Sequence, residues 1–357
     1  MSAQNTAPKP LIVERVNENQ LVTLRGNTPP AATAKNDRGQ VSPAMRMSDL
    51  ILVLRRSPEQ QAAFDAFVAN QYDATSPNFH QWLEPAEVGE KFGPALADIG
   101  TVSSWLASHG LSVDQISKDR MTIRFSGSAA QVEGAFHTEI HNLLVSGKPH
   151  ISNMSDPQIP MALEPVVLGP KALHNFTPRP LHRAGGRATL NPETGKWERV
   201  AASANETKAR AEFGFTGGSG SSTYQIEDVA PYDFATMYNV LPLWNSSIDG
   251  TGQTIAIVGT SDVRLTDIEA FRTLFGLPAG TFNTFHNGTD PGYCNAATTT
   301  NLPCTIDDQI ENALDVEWSG AVAKGATIDL VLTQPTTIND PVYLSAQYAV
   351  DNKIGSI

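Results

Sequence analysis

The sequence predicts two units of different class: an α+β domain, then the opening of a parallel-sheet α/β domain. Three observations carry this. Between residues 47 and 145, apolar runs of strand length alternate with helical periods in the order strand, helix, two more helices, strand, strand, helix, strand. Between Pro178 and Thr223 periodicity is lost, and beyond it continuous apolar strands are separated by amphipathic helices. The charge divides at the same region. Residues 1–224 hold 21 basic and 21 acidic side chains, whereas 225–357 hold 4 and 16, so the second part carries the whole net charge of −12.

Residues 1–46 are polar and bear Pro and Asn, with one short strand at Gln20–Leu24; a loosely ordered lead-in is expected. The first domain is set at 47–177. Leu50–Leu54 reads as a buried strand, and Ser57-Pro58-Glu59 opens a helix to about Asn70, with Pro at an early helical position. Helices follow at Ala86–Phe92 and Ala95–His109, the second stopped by Gly110. Leu111–Ile116 and Met121–Phe125 form a hairpin across Lys118-Asp119-Arg120; Ser128 caps a helix to Phe136, and Glu139–Val145 is a strand before Ser146-Gly147. That order is the split βαβ arrangement of a ferredoxin-like α+β sandwich.

Residues 178–223, with seven Lys or Arg side chains and the run Gly217-Gly218-Ser219-Gly220-Ser221-Ser222, read as an exposed linker and an easy target for proteolytic processing. In the last part, 224–357, Thr254–Gly259 and Thr327–Leu332 are parallel-type strands, and Leu265–Phe275 and Pro341–Asn352 are helices. A third strand would start near Ile354, so this domain is expected to be incomplete at Ile357.

An acidic domain with so few bases argues against nucleic acid or an anionic membrane as partner and suits work in acid. No apolar run approaches the roughly 18 residues of a membrane helix. The start Met1-Ser2-Ala3-Gln4-Asn5 lacks the basic-then-apolar pattern of a secretory signal, so export would need another route or a leader ahead of it. Cys294 and Cys304 are the two cysteines; flanked by loop residues, they fit a loop-closing disulfide in an oxidising compartment or free thiols, and no metal spacing surrounds them.

The chemistry centres on Glu311-Asn312-Ala313-Leu314-Asp315, in a helical segment beginning Asp307-Asp308. At i and i+4, Glu311 and Asp315 project one turn apart from one face, where like charges repel unless they share a proton or meet opposite charge. A structural alternative stands beside this: Asp308 and Glu311 fit the spacing of a capping box.

Several stretches closely resemble the sedolisin family of serine-carboxyl peptidases, the kumamolisin relatives. Ser76-Pro77-Asn78-Phe79-His80-Gln81-Trp82-Leu83-Glu84-Pro85 with Phe92-Gly93, and Val132-Glu133-Gly134-Ala135-Phe136-His137-Thr138-Glu139-Ile140-His141, resemble its activation domain. Gly250-Thr251-Gly252-Gln253-Thr254-Ile255-Ala256-Ile257-Val258 resembles the start of its subtilisin-like catalytic domain. The family's Glu-x-x-x-Asp dyad stands here as Glu311 and Asp315, and Ala321 and Ala323 follow in an Ala/Gly-bearing helix. The resemblance implies that Glu311 is the general base and acid for a serine nucleophile and that Asp315 orients it. Activity at roughly pH 3–5, where paired carboxyls titrate, is then expected.

The family's Gly-Thr-Ser nucleophile motif and its oxyanion aspartate lie downstream of the acid pair, beyond Ile357. Gly259-Thr260-Ser261 ends a strand ahead of the pair, where the family's chain only turns into a helix, so Ser261 is not read as the nucleophile. The resemblance further implies a secreted zymogen portion and peptide substrates, with the prodomain as intramolecular inhibitor and a monomeric state. The chain would be inactive as it stands. No cofactor or metal ligand is assigned within it, the family's calcium ligands falling beyond Ile357. The competing reading is a non-catalytic propeptide-like chaperone or inhibitor module. His80, His109, His137, His141, His150, His174 and His182 are either ordinary surface or turn residues or a pH trigger in the prodomain. Trp318, one turn beyond Asp315, is a core residue or a wall that keeps water from the acids.

Overall fold

The computed structural model describes residues 8–177, 187–190, 193, 197–200, 215–217, 224–226, 229–293, 306–336 and 338–355, with backbone alone in the strands between 187 and 226. The chain divides into two compact units, Met1–Thr177 with Thr336–Asp340, and Pro178–Pro335 with Pro341–Ile357.

In the first unit the elements run β1 (Leu21–Thr23), β2 (Asp37–Gln40), β3 (Arg46–Leu54), α1 (Pro58–Gln71), α2 (Pro85–Phe92), α3 (Leu96–Ser108), β4 (Ser112–Ile116), β5 (Thr122–Ser128), α4 (Ala129–Phe136), β6 (Ile140–Val145), β7 (Lys148–Asn153), β8 (Gln158–Pro160) and β9 (Val167–Pro170). Local chemistry places the helices. Ser57 caps α1 in a reciprocal capping box with Gln60, Ser128 does the same for α4 with Gln131, and Gly110 takes φ +77° just past α3. The apolar stripes Ile99, Val102, Trp105 and Leu106 of α3 and Val132, Ala135 and Phe136 of α4 are buried with Leu50, Leu52 and Leu54 of β3 and Phe125 of β5 in one core. Trp105 meets Phe136 edge-on, with ring centroids 5.5 Å apart.

The main sheet has the order β4-β5-β3-β9, all antiparallel. Here the structure departs from the expected arrangement. The strand at 139–145, expected to close this sheet, pairs instead with β2 and β7 in a separate sheet, and β9 takes the edge beside β3. The hairpin explains the difference. Ser146 and Gly147 both take positive φ, +51° and +77°, which suits a tight two-residue turn and commits β6 to its sequence neighbour β7. Val167-Leu168-Gly169-Pro170 has no alternation to mark it as a strand, and a strand ending in Pro is tolerated at an edge.

The lead-in is also better anchored than its composition suggests. Leu24 is in the core, Leu11, Ile12, Val16 and Val22 pack against it, and β1 pairs with β8. Buried Asp98 accepts hydrogen bonds from the Leu11 and Ile12 amides at 2.9 and 3.0 Å. Asp156 accepts from Gly26 and Asn27 N–H and from the Thr28 hydroxyl. Polar partners far along the chain order this stretch, and no local pattern announces them.

In the second unit, β10 (Arg187–Leu190), β11 (Trp197–Val200), β12 (Phe215–Gly217) and β13 (Tyr224–Ile226) form a sheet in that order, the first three within the stretch read as a linker and β13 just past it. The rest of the expected processing segment lies outside the described residues, as do Cys294, Cys304 and His182. Then come α5 (Pro231–Met237), α6 (Leu241–Asn245), β14 (Thr254–Gly259), α7 (Leu265–Leu274), β15 (Thr281–His286), α8 (Ile306–Val322), β16 (Thr327–Leu332) and α9 (Pro341–Asn352). β14 and β15 both pair in parallel with β16, giving the order β14-β16-β15. The central β16 is buried almost throughout, whereas β15 is a mostly exposed edge with the polar sequence Thr-Phe-Asn-Thr-Phe-His, which hides it from a hydrophobic search. Its Asn283 donates to the buried Asp329 carboxylate at 2.8 Å. Among the described residues no helix is long and apolar enough to cross a membrane.

Candidate active site

α8 carries the acid pair. It begins at Ile306, so Asp307 and Asp308 lie in its first turn, where negative charge meets the positive end of the helix dipole. Asp308 is therefore inside the helix, not its cap, and the capping-box alternative for Asp308 and Glu311 falls. The buried stripe of α8 runs through Asn312, Val316 and Gly320, with Val316 in the apolar cluster that holds Ile328, Leu330 and Leu332 of β16. Glu311, Asp315 and Trp318, at i, i+4 and i+7, share the flank beside that stripe. Glu311 and Asp315 are both partly exposed, separated by about 6 Å of helical rise.

Burial, and then the neighbouring Glu311 charge, push the Asp315 carboxyl above its ordinary value. Such a carboxyl keeps its proton to higher pH than a free aspartate, beside a second carboxyl one turn away. A pair of this kind can take a proton from a third group and return it.

Two side chains that carry no chemistry fix α8. Asn312, between the two acids, is 5 % exposed and donates to the Ser261 carbonyl at 2.7 Å, which pins this part of the helix to the chain leaving β14. Gly259 makes room for it; a Cβ there would lie 2.5 Å from the Asn312 amide nitrogen. At the other end, Arg272 of α7, 4 % exposed, donates to the carbonyls of Gly320, Lys324 and Pro278 at 2.9, 2.7 and 2.7 Å. It thereby satisfies acceptors that a helix C-terminus leaves open. Sequence reading passed over both residues. One signal was legible, since Arg272 is one of four bases in an otherwise acidic stretch and sits in an amphipathic helix.

Trp318 packs edge-on against Phe234 of α5 at 5.8 Å and near Phe271 of α7 at 6.5 Å. Ser261 is fully buried and its hydroxyl donates to the Asp262 carbonyl.

The histidines of the first unit are built into it. His109 and His137 both approach Glu18, at 3.1 and 3.5 Å, and Glu18 also accepts from the Trp105 indole. His141 stands between Asp37 and Glu139 at 2.8 and 3.2 Å. His150 stacks on Phe176, and His80 on Phe79 and Trp82.

Comparison with known proteins finds a family resemblance in the first unit. The family model described as pro-kumamolisin, activation domain, matches residues 33–176. Over those residues the chain is similar to a pro-kumamolisin activation domain. The matched segment ends ahead of α8. Among curated relatives, sedolisin of Pseudomonas sp. (strain 101) is 26% identical over 151 residues, covering 41% of this chain and 25% of the relative. Tripeptidyl-peptidase sed1 of Aspergillus fumigatus is 34% identical over 84 residues, covering 22% of this chain and 13% of the relative. The match thus spans a quarter of the first relative's length and about an eighth of the second's.

Proposed function

We propose that the chain is the zymogen portion of an acid-acting serine-carboxyl endopeptidase: a ferredoxin-like prodomain followed by the first part of a subtilisin-like catalytic domain. In this reading Glu311 takes the proton of a serine hydroxyl as it attacks the peptide carbonyl and later delivers it to the leaving amine. Asp315 orients Glu311 and shares its proton. The carrying observation is the acid pair on one flank of α8, with the Asp315 carboxyl raised by burial and by Glu311. The matched prodomain supports the reading from the other side of the chain, since a peptidase prodomain implies an intramolecular inhibitory role and peptide substrates.

Replacing the imidazole of a serine-peptidase triad by a carboxylate lowers the basicity of the proton acceptor, which suits acid operation. Ser261 does not serve as nucleophile here, because its hydroxyl is buried and donates to a neighbouring carbonyl. The protein acts outside the membrane system, on protein or peptide substrates, as a secreted monomer.

The test uses the full-length gene product, processed at about pH 4, where a carboxyl pair is half titrated. Glu311→Gln and Asp315→Asn should each lower peptidase kcat by at least about a hundredfold, as loss of a general base does. Retained activity in either variant refutes the dyad. A second reading, a propeptide-like folding and inhibitor module, is favoured by the match of residues 33–176 to an activation domain. It predicts that the purified chain inhibits a mature sedolisin-type peptidase while cleaving nothing itself.

A further inference from the structure

We infer that Asp262, His286 and Asp290 form a divalent transition-metal site at one edge of the parallel sheet in the second unit. The three offer ligand atoms that all lie within 4.8 Å of one another. None of them belongs to the acid pair on α8, and the inference does not depend on the proposed peptidase activity.

The topology makes this meeting informative. β14 ends at Gly259 and β15 at His286, and both flank β16. Strands about 4.8 Å apart put those two ends about 10 Å from each other, with the end of β16 between them. Asp262 and His286 therefore come together because both loops fold over the end of β16. The Asp262 amide donates to the Gly292 carbonyl at 2.9 Å, and the Asn287 amide donates to the Leu332 carbonyl at 2.7 Å. Gly288 and Gly292, at φ +92° and +64°, let the loop after β15 turn back on itself.

The donor atoms are then left aimed at one another. The Nε2 of His286 is shut off from solvent and makes no hydrogen bond. Asp290 Oδ1 lies 3.4 Å from it, close to the separation of two ligands on one small cation with bonds of about 2.1 Å. Each carboxylate uses only Oδ1 for the backbone: Asp262 Oδ1 accepts from Val263 N–H at 2.8 Å and Asp290 Oδ1 from Gly292 N–H at 2.7 Å. Among the described residues no hydrogen bond reaches Oδ2 of either. The backbone thus orients both acids and leaves an oxygen of each for another partner.

A shielded imidazole nitrogen that makes no hydrogen bond and meets only the Asp290 carboxylate at 3.4 Å is poorly satisfied, and a metal ion is a partner that both carboxylates would also welcome. Two carboxylates and one imidazole suit Mn²⁺ or Zn²⁺ and leave further positions for water. A calcium site would be built of oxygens alone. The cation would be structural: it would clip the loops after β14 and β15 together, beside the Ser261 carbonyl that holds Asn312 of α8.

The test is Mn²⁺ titration of the whole chain, stripped with EDTA, at pH 7, followed by loss of the free-ion electron paramagnetic resonance signal. Mn²⁺ also avoids the cysteine thiols, which prefer softer metals. One Mn²⁺ should bind at the site. Asp262→Asn, His286→Asn and Asp290→Asn should each weaken it at least about tenfold, the loss seen even for residues that only support ligands. Glu311→Gln should leave it unchanged. No uptake, or equal uptake in the three variants, overturns the proposal, as does Ca²⁺ displacing Mn²⁺ at equal concentration. Should the variants fail to fold, the unmutated chain answers the same question. Fe²⁺ with ascorbate and oxygen should oxidise His286 selectively, and oxidation scattered over other histidines would refute the site.

Discussion

Replacing Arg272 by methionine tests how α8 is held. The substitution keeps the apolar stem and removes the guanidinium, so the carbonyls of Gly320, Lys324 and Pro278 lose their donor together. The bond to Gly320 is buried, and leaving that acceptor unsatisfied costs about 1–3 kcal/mol. The other two bonds are partly exposed, so water replaces the guanidinium and each loss costs about 0.5–1 kcal/mol. The sum is about 3 kcal/mol, equivalent to about a hundredfold change in an opening equilibrium. Hydrogen exchange read by mass spectrometry measures it. Amides of Ile306–Val322 should exchange about a hundredfold faster in Arg272→Met, with amides of β3 and β5 in the first unit as internal reference. Acceleration of less than about threefold would show that α8 does not depend on the guanidinium, and the ledger would fail.

Two further outcomes follow from single carboxylates. Asp98→Ala removes the acceptor for the Leu11 and Ile12 amides and should destabilise the prodomain by about 2–4 kcal/mol, read as a lower urea midpoint with early proteolysis ahead of residue 24. An unchanged midpoint would mean that the apolar anchors alone hold the lead-in. Asp315 tests electrostatics with the opposite sign. Its carboxyl is raised in the folded state, so its contribution to stability is full below the ordinary carboxyl value and is lost as pH rises through the raised one. Asp315→Asn should therefore stabilise the second unit at pH 7, with the gain vanishing near pH 3; a less stable variant at pH 7 would refute the burial argument.

Local chemistry was legible wherever one residue type dictates one conformation. The helix start at Ser57-Pro58, the Ser128 cap and the Ser146-Gly147 turn can all be read from the chain and stand where expected. The acid pair was legible as a spacing, because i and i+4 on a helix face one way whatever surrounds them. What surrounds them was not. Asn312 and Arg272 act through carbonyls 51 and 48 residues away, and a carbonyl has no sequence signature.

Period and capping, short-range properties of the chain, revealed the helices and the apolar strands and placed Glu311 and Asp315 one turn apart, whereas β9 and β15, which lack an apolar pattern, stayed hidden. Tertiary structure decided three matters that depend on distant partners. It placed 139–145 in a second sheet, with β9 beside β3 in its stead. It ordered the lead-in through Asp98 and Asp156. It brought Asp262 to His286 and Asp290 across the end of β16, a meeting of residues 24 and 28 positions apart that only the parallel sheet and its folded loops produce.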